Sequence, residues 1–380
     1  MIRNPTSLGA VVADSQTLAN RYPYICLTFV VLLVNGIFYL PFLSNGTVDQ
    51  LFRYWDGPNY LLVAKTLYSI PADHPLSPYT VPSYFAAHLP LYPFAIKLFS
   101  VFGYPVAMLL TTTAFTVGAT LVFYTLLKEN NWVSNPLWSA VISLFIPARY
   151  LIYHTVGATE APFIFFICLS LLFYFRERYF LSFLFGGFAG ITRITGILLG
   201  IGYLVDLLIK RRWKVIPLLG LIGSPLFLTF VFYHFHYGDF FAYLKVNASE
   251  SNKLFRFDPF LILKSYASTG NTHAAEFYLY LYAVYGIGTA LLWKVNRTLC
   301  WAIAPFFLFN CFVFHQDLAR YFIPLAPFSL VIAFDKVLHT RAALWLFLPV
   351  AALTYIYAWG MIPHNLCVDW VYNNLDIFLE

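Results

Sequence analysis

The chain has 380 residues, of which 60% are hydrophobic and only 11% are charged. A water-soluble domain of this length cannot bury so much apolar surface, so the composition excludes that class and predicts an integral membrane protein. The net charge of +6 is spread along the chain without a basic block, which argues against a nucleic-acid partner.

Apolar runs long enough to cross about 30 Å of hydrocarbon as helices recur along the chain. The predicted spans lie at about residues 24–43, 101–127, 136–153, 160–176, 180–193, 195–209, 215–234, 276–293, 299–315, 321–335 and 342–360. The sequence therefore predicts an all-α, polytopic membrane protein with about 11 transmembrane helices. Residues 1–380 are expected to form a single transmembrane domain.

Three long polar or amphipathic segments separate or follow these spans. The first covers residues 44–100 and includes Asn59–Leu67 and Leu91–Phe99, which have helical spacing but are too short to cross a bilayer. Such stretches are typical of amphipathic helices that lie at the membrane interface. The second covers residues 235–275, and a polar tail covers residues 361–380.

The distribution of charge predicts the orientation. If residues 1–23 are cytoplasmic, short inner loops such as Lys210–Lys214 carry dense positive charge, as the positive-inside bias requires. The loops 44–100 and 235–275 and the tail 361–380 then lie outside, together with most acidic residues and histidines. We therefore expect the chemistry on the outer face.

The first candidate site is the segment Arg53–Tyr60, which contains Trp55 and Asp56 ahead of a Gly-Pro turn. A partly desolvated carboxylate at the membrane surface is suited to take a proton from a hydroxyl group. The alternative is an ordinary helix N-cap, because Asp before Gly-Pro is common at helix starts. The residues alone leave both interpretations open.

The second candidate lies between two apolar spans and contains His315, Asp317, Arg320 and Tyr321. Ionisable residues are costly near lipid and so indicate function. Arg320 can hold a phosphate diester and offset charge on a departing phosphate. The alternative is an internal network that anchors two helix ends.

Glu160 and Arg193 are isolated charges at predicted outer helix ends. They either pair as a structural bridge or shape a substrate pocket. The histidines of the outer segments are expected to be surface residues more often than phosphate donors: His74, His88, His154 and His273. No residue spacing indicates a metal cage or a nucleotide-binding loop, so no metal or cofactor is predicted.

Taken together, these segments resemble the PIG-V-type mannosyltransferases of the GT-C glycosyltransferase superfamily. The resemblance runs in order from about residue 50 to 330. The motifs that carry it are Trp55-Asp56-Gly57, Leu89–Pro93, Pro147 followed by Glu160, Gly190–Gly196, and Arg320-Tyr321 with Pro324.

The resemblance implies a GT-C fold and an inverting transfer of a sugar, usually mannose, from a polyprenyl- or dolichyl-phosphate donor. The acceptor would be a hydroxyl of a glycan, lipid or protein on the outer or luminal face. An acid in the first outer loop acts as base in such enzymes, and Asp56 occupies the matching position. Residues expected to bind substrate are Arg53, Trp55, Glu160, Arg193, His315, Asp317, Arg320 and Tyr321.

Two other classes remain as alternatives. A transporter or lipid flippase predicts charges near the middle of the membrane and an internal repeat, neither of which the sequence displays. A non-catalytic subunit on a glycosyltransferase scaffold is the other. The chain is shorter than the eukaryotic members that serve glycolipid anchors, which favours a prokaryotic cell membrane over the endoplasmic reticulum.

Overall fold

A computed structural model describes residues 19–74, 77–78, 80–248, 254–367 and 373. These residues form helices, turns and two isolated β-bridges, Tyr54 with Leu366 and Phe255 with Val313, and they contain no β-sheet. The expected all-α class is confirmed.

The α-helices follow each other through the described chain. They are α1 (Pro23–Ser44), α2 (Asp49–Phe52), α3 (Gly57–Thr66), α4 (Leu91–Leu98), α5 (Tyr104–Asn130), α6 (Pro136–Ile142), α7 (Tyr150–Tyr153), α8 (Glu160–Phe175), α9 (Tyr179–Gly190), α10 (Leu198–Ile209), α11 (Gly220–Tyr237), α12 (Ala242–Ala248), α13 (Leu261–Ser268), α14 (Thr272–Val295), α15 (Arg297–Asn310), α16 (Leu318–Phe322), α17 (Asp335–Leu338) and α18 (Arg341–Met361). Short 3₁₀ segments cover Pro82–Ala87, Ser100–Phe102, Ile194–Ile197, Trp213–Leu219, Ile323–Leu325 and Ile362–His364, and Pro327–Ile332 is a π-helix.

Within the described chain, 5 helical segments are long and apolar enough to cross a membrane: Pro23–Ser44, Tyr104–Asn130, Trp213–Tyr237, Thr272–Val295 and Arg341–His364. Three shorter apolar segments, Glu160–Phe175, Tyr179–Gly190 and Ile194–Ile209, pack among them. Large apolar side chains on α1 and α18, such as Phe29, Leu40 and Leu348, are exposed. Lipid is the medium that suits such a surface, so the protein is membrane-embedded.

Two of the predicted spans are interrupted. Residues 136–153 form α6 and α7 with a turn-rich segment between them that contains Pro147. Residues 321–335 form a succession of short helical pieces that contain Pro324 and Pro327. Proline has no backbone N–H to continue the helical ladder, which accounts for irregular helix where hydropathy alone predicted a regular span.

The helices expected in the first outer loop are present as α3 and α4. Helix α3 is nevertheless buried on most of its surface, including Tyr60, Leu61 and Val63, because α4 and α5 pack against it. The packing of α4 and α5 accounts for this burial, and the interfacial position of α3 stays a prediction.

The main core lies among α1, α5, α8, α9, α10, α14 and α15, with α5 and α9 on either side of α8. It is rich in buried aromatic side chains, among them Phe38, Phe163 and Phe322. Helix α8 therefore runs through the middle of the helical packing, and its first residue, Glu160, lies where several loops converge. The candidate site is built at that end.

Candidate active site

A chain of ion pairs joins four segments that are far apart in sequence. Arg320 lies at its centre: Nη1 donates to Asp56 Oδ2 at 2.9 Å and Nε donates to Glu160 Oε1 at 2.6 Å. Arg193 Nη1 donates to the same oxygen of Glu160 at 2.6 Å. The structure thus brings together four of the predicted site residues.

Glu160 anchors both arginines from the first turn of α8. Its side chain is 0% exposed, and its Oε1 atom is shared by the two guanidinium groups. The positive end of the helix dipole stabilises a carboxylate at this position. Glu160 Oε2 is buried and has no hydrogen-bond partner among the described residues. The arrangement holds two cations side by side around one fixed anion.

Aromatic rings complete the support of the two arginines. The Arg320 guanidinium lies 4.7 Å from the ring centre of Tyr153. Arg193 lies 5.6 Å from the ring centre of Tyr321 and 5.9 Å from that of Phe163. Cation–π contacts of this kind restrict the arginines while leaving their N–H edges free to bind.

Asp56 occupies the N-cap position of α3, but its side chain makes no capping hydrogen bond. The helix-cap interpretation therefore does not hold, because the carboxylate turns to Arg320 instead. The Asp56 side chain is 31% exposed. In the described chain only Oδ2 is engaged, by Arg320, and Oδ1 has no protein donor. One oxygen is thus held in place and the other is available to accept a proton.

Asp56 and Arg320 lie in the wall of a cavity that has two adjoining lobes of about 190 and about 260 Å³. The residues that line both lobes are Asp56, Tyr60, Ala87, Asn247, Leu254, Arg320 and Tyr321. Together the lobes are large enough for a small ligand with two parts.

The lobes differ in chemistry. The smaller one, called the arginine lobe, adds Arg193 and the hydroxyl residues Thr159, Thr192 and Thr195. The larger one, called the aromatic lobe, adds Trp55, Tyr84, His88 and His315. Arg193 Nη1 donates to Thr159 and Glu160, whereas Nε and Nη2 have no acceptor within the described chain. The arginine lobe therefore offers donors for an anion.

Asp317 belongs to a separate network that does not line the cavity. Arg149 Nη2 lies 2.7 Å from Asp317 Oδ1, and the Tyr153 hydroxyl donates to Oδ2 at 3.2 Å. Burial raises the pKa of the Asp317 carboxyl, against the opposing effect of Arg149. The contacts of Asp317 match the alternative of a network that anchors helix ends, and Asp317 is not among the residues that line the cavity.

His315 connects that network to the aromatic lobe. Its Nδ1 accepts the backbone N–H of Asp317 at 2.9 Å, which places the ring proton on Nε2. Burial lowers the pKa of His315, so the ring is neutral at neutral pH. The ring can donate one hydrogen bond into the lobe but does not supply the positive charge that a phosphate contact would use.

Trp55 and Arg53 are held by the segment after α18. The backbone N–H of Trp55 donates to the backbone oxygen of Asn365 at 2.9 Å. The backbone N–H of Cys367 donates to the backbone oxygen of Arg53 at 2.8 Å. Arg53 Nη2 also donates to Cys367 O at 3.3 Å, so its head group turns toward this segment and away from the cavity lining. Trp55 has a φ of 48°, an unfavourable conformation for a bulky residue, and its side chain lines the aromatic lobe.

Several site residues were not singled out by the sequence. Arg149 lies inside a predicted span, where an ionisable residue is itself a signal of function. His88 was expected at the surface but is buried in the wall of the aromatic lobe, and His74 and His154 are buried as well. Tyr84 and Asn247 were not singled out as binding residues, since tyrosine and asparagine are frequent outside membrane spans, whereas Tyr60 closes the first candidate segment.

The described residues contain no group of three or more His, Cys, Asp or Glu side chains that could hold a metal ion. In comparisons with known proteins, no family model, no curated protein and no solved structure matches the chain.

Proposed function

We propose that this chain is an inverting glycosyltransferase of the GT-C type, with Asp56 as general base. The donor would be a polyprenyl- or dolichyl-phosphate sugar, with mannose as the expected sugar, and the acceptor a hydroxyl group on the outer face. The observation that carries the proposal is the Asp56 carboxylate, which faces a cavity with one free oxygen beside two ordered arginines.

The proposed reaction is a single displacement. The acceptor oxygen attacks the anomeric carbon from the face opposite the phosphate, and Asp56 takes the acceptor proton. The bond between the anomeric carbon and the phosphate oxygen breaks, and its electron pair goes to that oxygen. Attack from the opposite face inverts the anomeric configuration.

Charge accounts for the role of the arginines. The donor is a phosphate diester with one negative charge, and the departing lipid monophosphate carries up to two. Arg193 and Arg320 are preorganised by Glu160, so they stabilise this developing charge without rearrangement. With both cationic side chains in place, protein groups can in principle neutralise the leaving phosphate without a nucleotide or a metal ion.

A lipid-linked donor fits a cavity among loops at one end of the helices, because its head group would reach such loops while its polyprenyl tail stays in the bilayer. We propose a multi-pass protein with about 11 spans in a prokaryotic cell membrane, eight of which would be the 5 long apolar segments and the 3 shorter ones.

The test is transfer of labelled mannose by the purified protein from undecaprenyl-phosphate mannose to a membrane lipid extract. Asp56→Asn is nearly isosteric and keeps an acceptor for Arg320, but it cannot take the proton. We expect its turnover to fall by roughly 10²–10⁴-fold, the usual contribution of a positioned base, while donor binding is retained.

The matched control is Asp49→Asn, in the same loop. Asp49 is exposed and its nearest cation is Arg53 at 3.7 Å, so transfer by this variant should match that of the wild type. Unchanged transfer by Asp56→Asn contradicts the role of the base. A wild-type protein that neither binds the donor nor transfers the sugar contradicts the proposal as a whole and favours the transporter or subunit alternatives.

A further inference from the structure

We infer that the aromatic lobe is the acceptor subsite and that it takes a neutral saccharide stacked on Trp55, while the donor phosphate occupies the arginine lobe. This inference rests on the proposed function and names the acceptor class that the residues leave open. Its basis is a difference in charge, in shape and in unsatisfied polar atoms between two lobes that share one carboxylate.

The two lobes differ in charge. Both lobes contain the Asp56–Arg320 ion pair, and the arginine lobe adds the cation Arg193. The aromatic lobe adds no charged side chain, because His88 and His315 are both buried enough to be neutral. An anionic phosphate is therefore attracted most strongly to the arginine lobe. An uncharged ligand displaces water from the aromatic lobe at the lowest electrostatic cost.

Asp56 and Arg320 lie between the two lobes. Asp56 lies in the wall of both lobes, as a base must if it is to take a proton from an acceptor and act beside the anomeric carbon of the donor. Arg320 also lines both lobes and is therefore close to the bond that breaks. With the phosphate beside Arg193, the acceptor hydroxyl approaches from the aromatic side.

The two lobes also differ in shape. Trp55 is 37% exposed and lines the aromatic lobe. The backbone N–H of this residue donates to Asn365 O, so the backbone that carries the indole is held at the cavity in its left-handed conformation. A flat aromatic face of this kind packs against the C–H face of a pyranose ring, which presents apolar and polar groups on different sides.

Polar groups surround this face. His88 is buried, and its Nδ1 atom has no hydrogen-bond partner among the described residues. His315 carries its ring proton on Nε2, and Tyr84 adds a hydroxyl, while Asn247 borders both lobes. Several polar groups around one aromatic face suit a ligand with many hydroxyls better than an alkyl alcohol.

The experiment measures binding of two probes to the full chain in lipid nanodiscs. Methyl α-D-mannopyranoside, followed by saturation-transfer NMR, reports on the aromatic lobe, and undecaprenyl phosphate reports on the arginine lobe. We expect Trp55→Ala to weaken binding of the glycoside about tenfold, and Trp55→Phe to bind it with an affinity between those of the wild type and Trp55→Ala. Neither substitution should change the binding of undecaprenyl phosphate.

Two further variants make the result specific. Trp345→Ala removes a tryptophan that is 83% exposed on α18, and it should change neither affinity. Arg193→Gln should weaken binding of undecaprenyl phosphate and leave binding of the glycoside unchanged. The melting temperature of each variant shows whether it is folded.

The outcomes separate the inference from the function on which it rests. If the wild type does not bind the glycoside, or Trp55→Ala binds it as well as the wild type does, the acceptor assignment is overturned. Reversed effects of the Trp55 and Arg193 variants also overturn it, because the lobes would then be exchanged. A wild type that binds the glycoside but not undecaprenyl phosphate contradicts the lipid-phosphate donor instead.

Discussion

Helix α8 carries a polar cluster at each of its ends, and the two clusters differ in how completely protein donors satisfy their carboxylates. Glu160 is its first residue, and Tyr174 lies in its last turn, roughly 20 Å away at 1.5 Å per residue. Tyr174 donates to Asp206 Oδ2 at 2.7 Å. Both clusters pair a buried carboxylate with a cation, but Arg320 is buried whereas the Lys210 side chain is 47% exposed. We call the cluster at Glu160 the outer cluster and the cluster at Asp206 the inner cluster, after the predicted orientation.

The inner cluster around Asp206 is satisfied. Thr298 Oγ1 donates to Asp206 Oδ1 at 2.7 Å, and Lys210 Nζ lies 2.8 Å from Oδ2. Each oxygen of this carboxylate therefore has a protein donor. Such a network stabilises the packing of α8, α10 and α15 and leaves no polar atom for a ligand.

The outer cluster is incomplete by comparison. Glu160 Oε2 and His88 Nδ1 are buried without partners in the described chain, and Asp56 offers a free oxygen to a cavity. Both oxygens of the Asp206 carboxylate have protein donors, whereas Asp56 keeps one oxygen free beside a cavity. Both clusters are charged, and they differ in whether a carboxylate oxygen is left for a ligand.

The largest effect is expected for Glu160→Gln. The substitution leaves the buried Arg320 and the half-buried Arg193 without their shared anion, and breaking a buried pair typically costs about 3–5 kcal/mol. Denaturant unfolding in detergent should show a loss of that size, together with loss of sugar transfer. A variant as stable and active as the wild type would show that the arginines do not depend on this carboxylate.

A smaller effect of a different kind is expected for Tyr174→Phe. The variant loses one hydrogen bond to a charged group, for which about 1.5–3 kcal/mol of stability is typical. Transfer per folded molecule should stay at the wild-type level, in contrast to Asp56→Asn. Lower transfer by fully folded Tyr174→Phe protein would indicate that the inner cluster also serves the reaction.

The stability of the outer cluster should depend on pH through His315. Burial lowers the pKa of this residue below its ordinary value of 6.5, so the unfolded state binds a proton more readily than the folded state does. Its contribution is fully present above pH 6.5 and is lost as the pH falls below 6.5 toward the folded-state pKa.

The measurement is the unfolding free energy of the wild type and of His315→Gln across this window. The wild type should lose more stability than the variant as the pH falls, and His273→Gln, at an exposed residue, should behave like the wild type. Parallel curves for the wild type and His315→Gln would rule out this contribution.

The smallest effect is expected at the ion pair between Glu129 and Arg176. Arg176 Nε donates to Glu129 Oε2 at 2.9 Å, but both side chains are more than a third exposed. Water and salt screen such pairs, so Glu129→Gln should cost about 0–1 kcal/mol and nothing measurable at high ionic strength. A loss of unfolding free energy as large as that of Tyr174→Phe would contradict the expectation that exposed ion pairs stabilise the fold less than buried polar contacts do.

The sequence by itself determined the class of the protein and most of the charged members of the site. Membrane-length apolar runs predict long helices through local geometry alone, and α1, α5 and α18 lie where they were expected. In a chain with only 11% charged residues, an acid or arginine beside an apolar run is conspicuous. Asp56, Glu160, Arg193 and Arg320 were therefore identifiable, although their mutual contacts were not.

Only the tertiary structure decided how those residues meet. Arg320 and Asp56 are 264 positions apart, and no periodicity in the sequence predicts such a contact. The same holds for Arg149 beside Asp317 and for the burial of His88, since loop residues have no repeating pattern that reveals which face is covered. Hydropathy also averages over prolines, so it missed the breaks at Pro147 and Pro324. Long-range packing sets these features, because the burial of a side chain and the identity of its partner depend on segments that are distant in sequence.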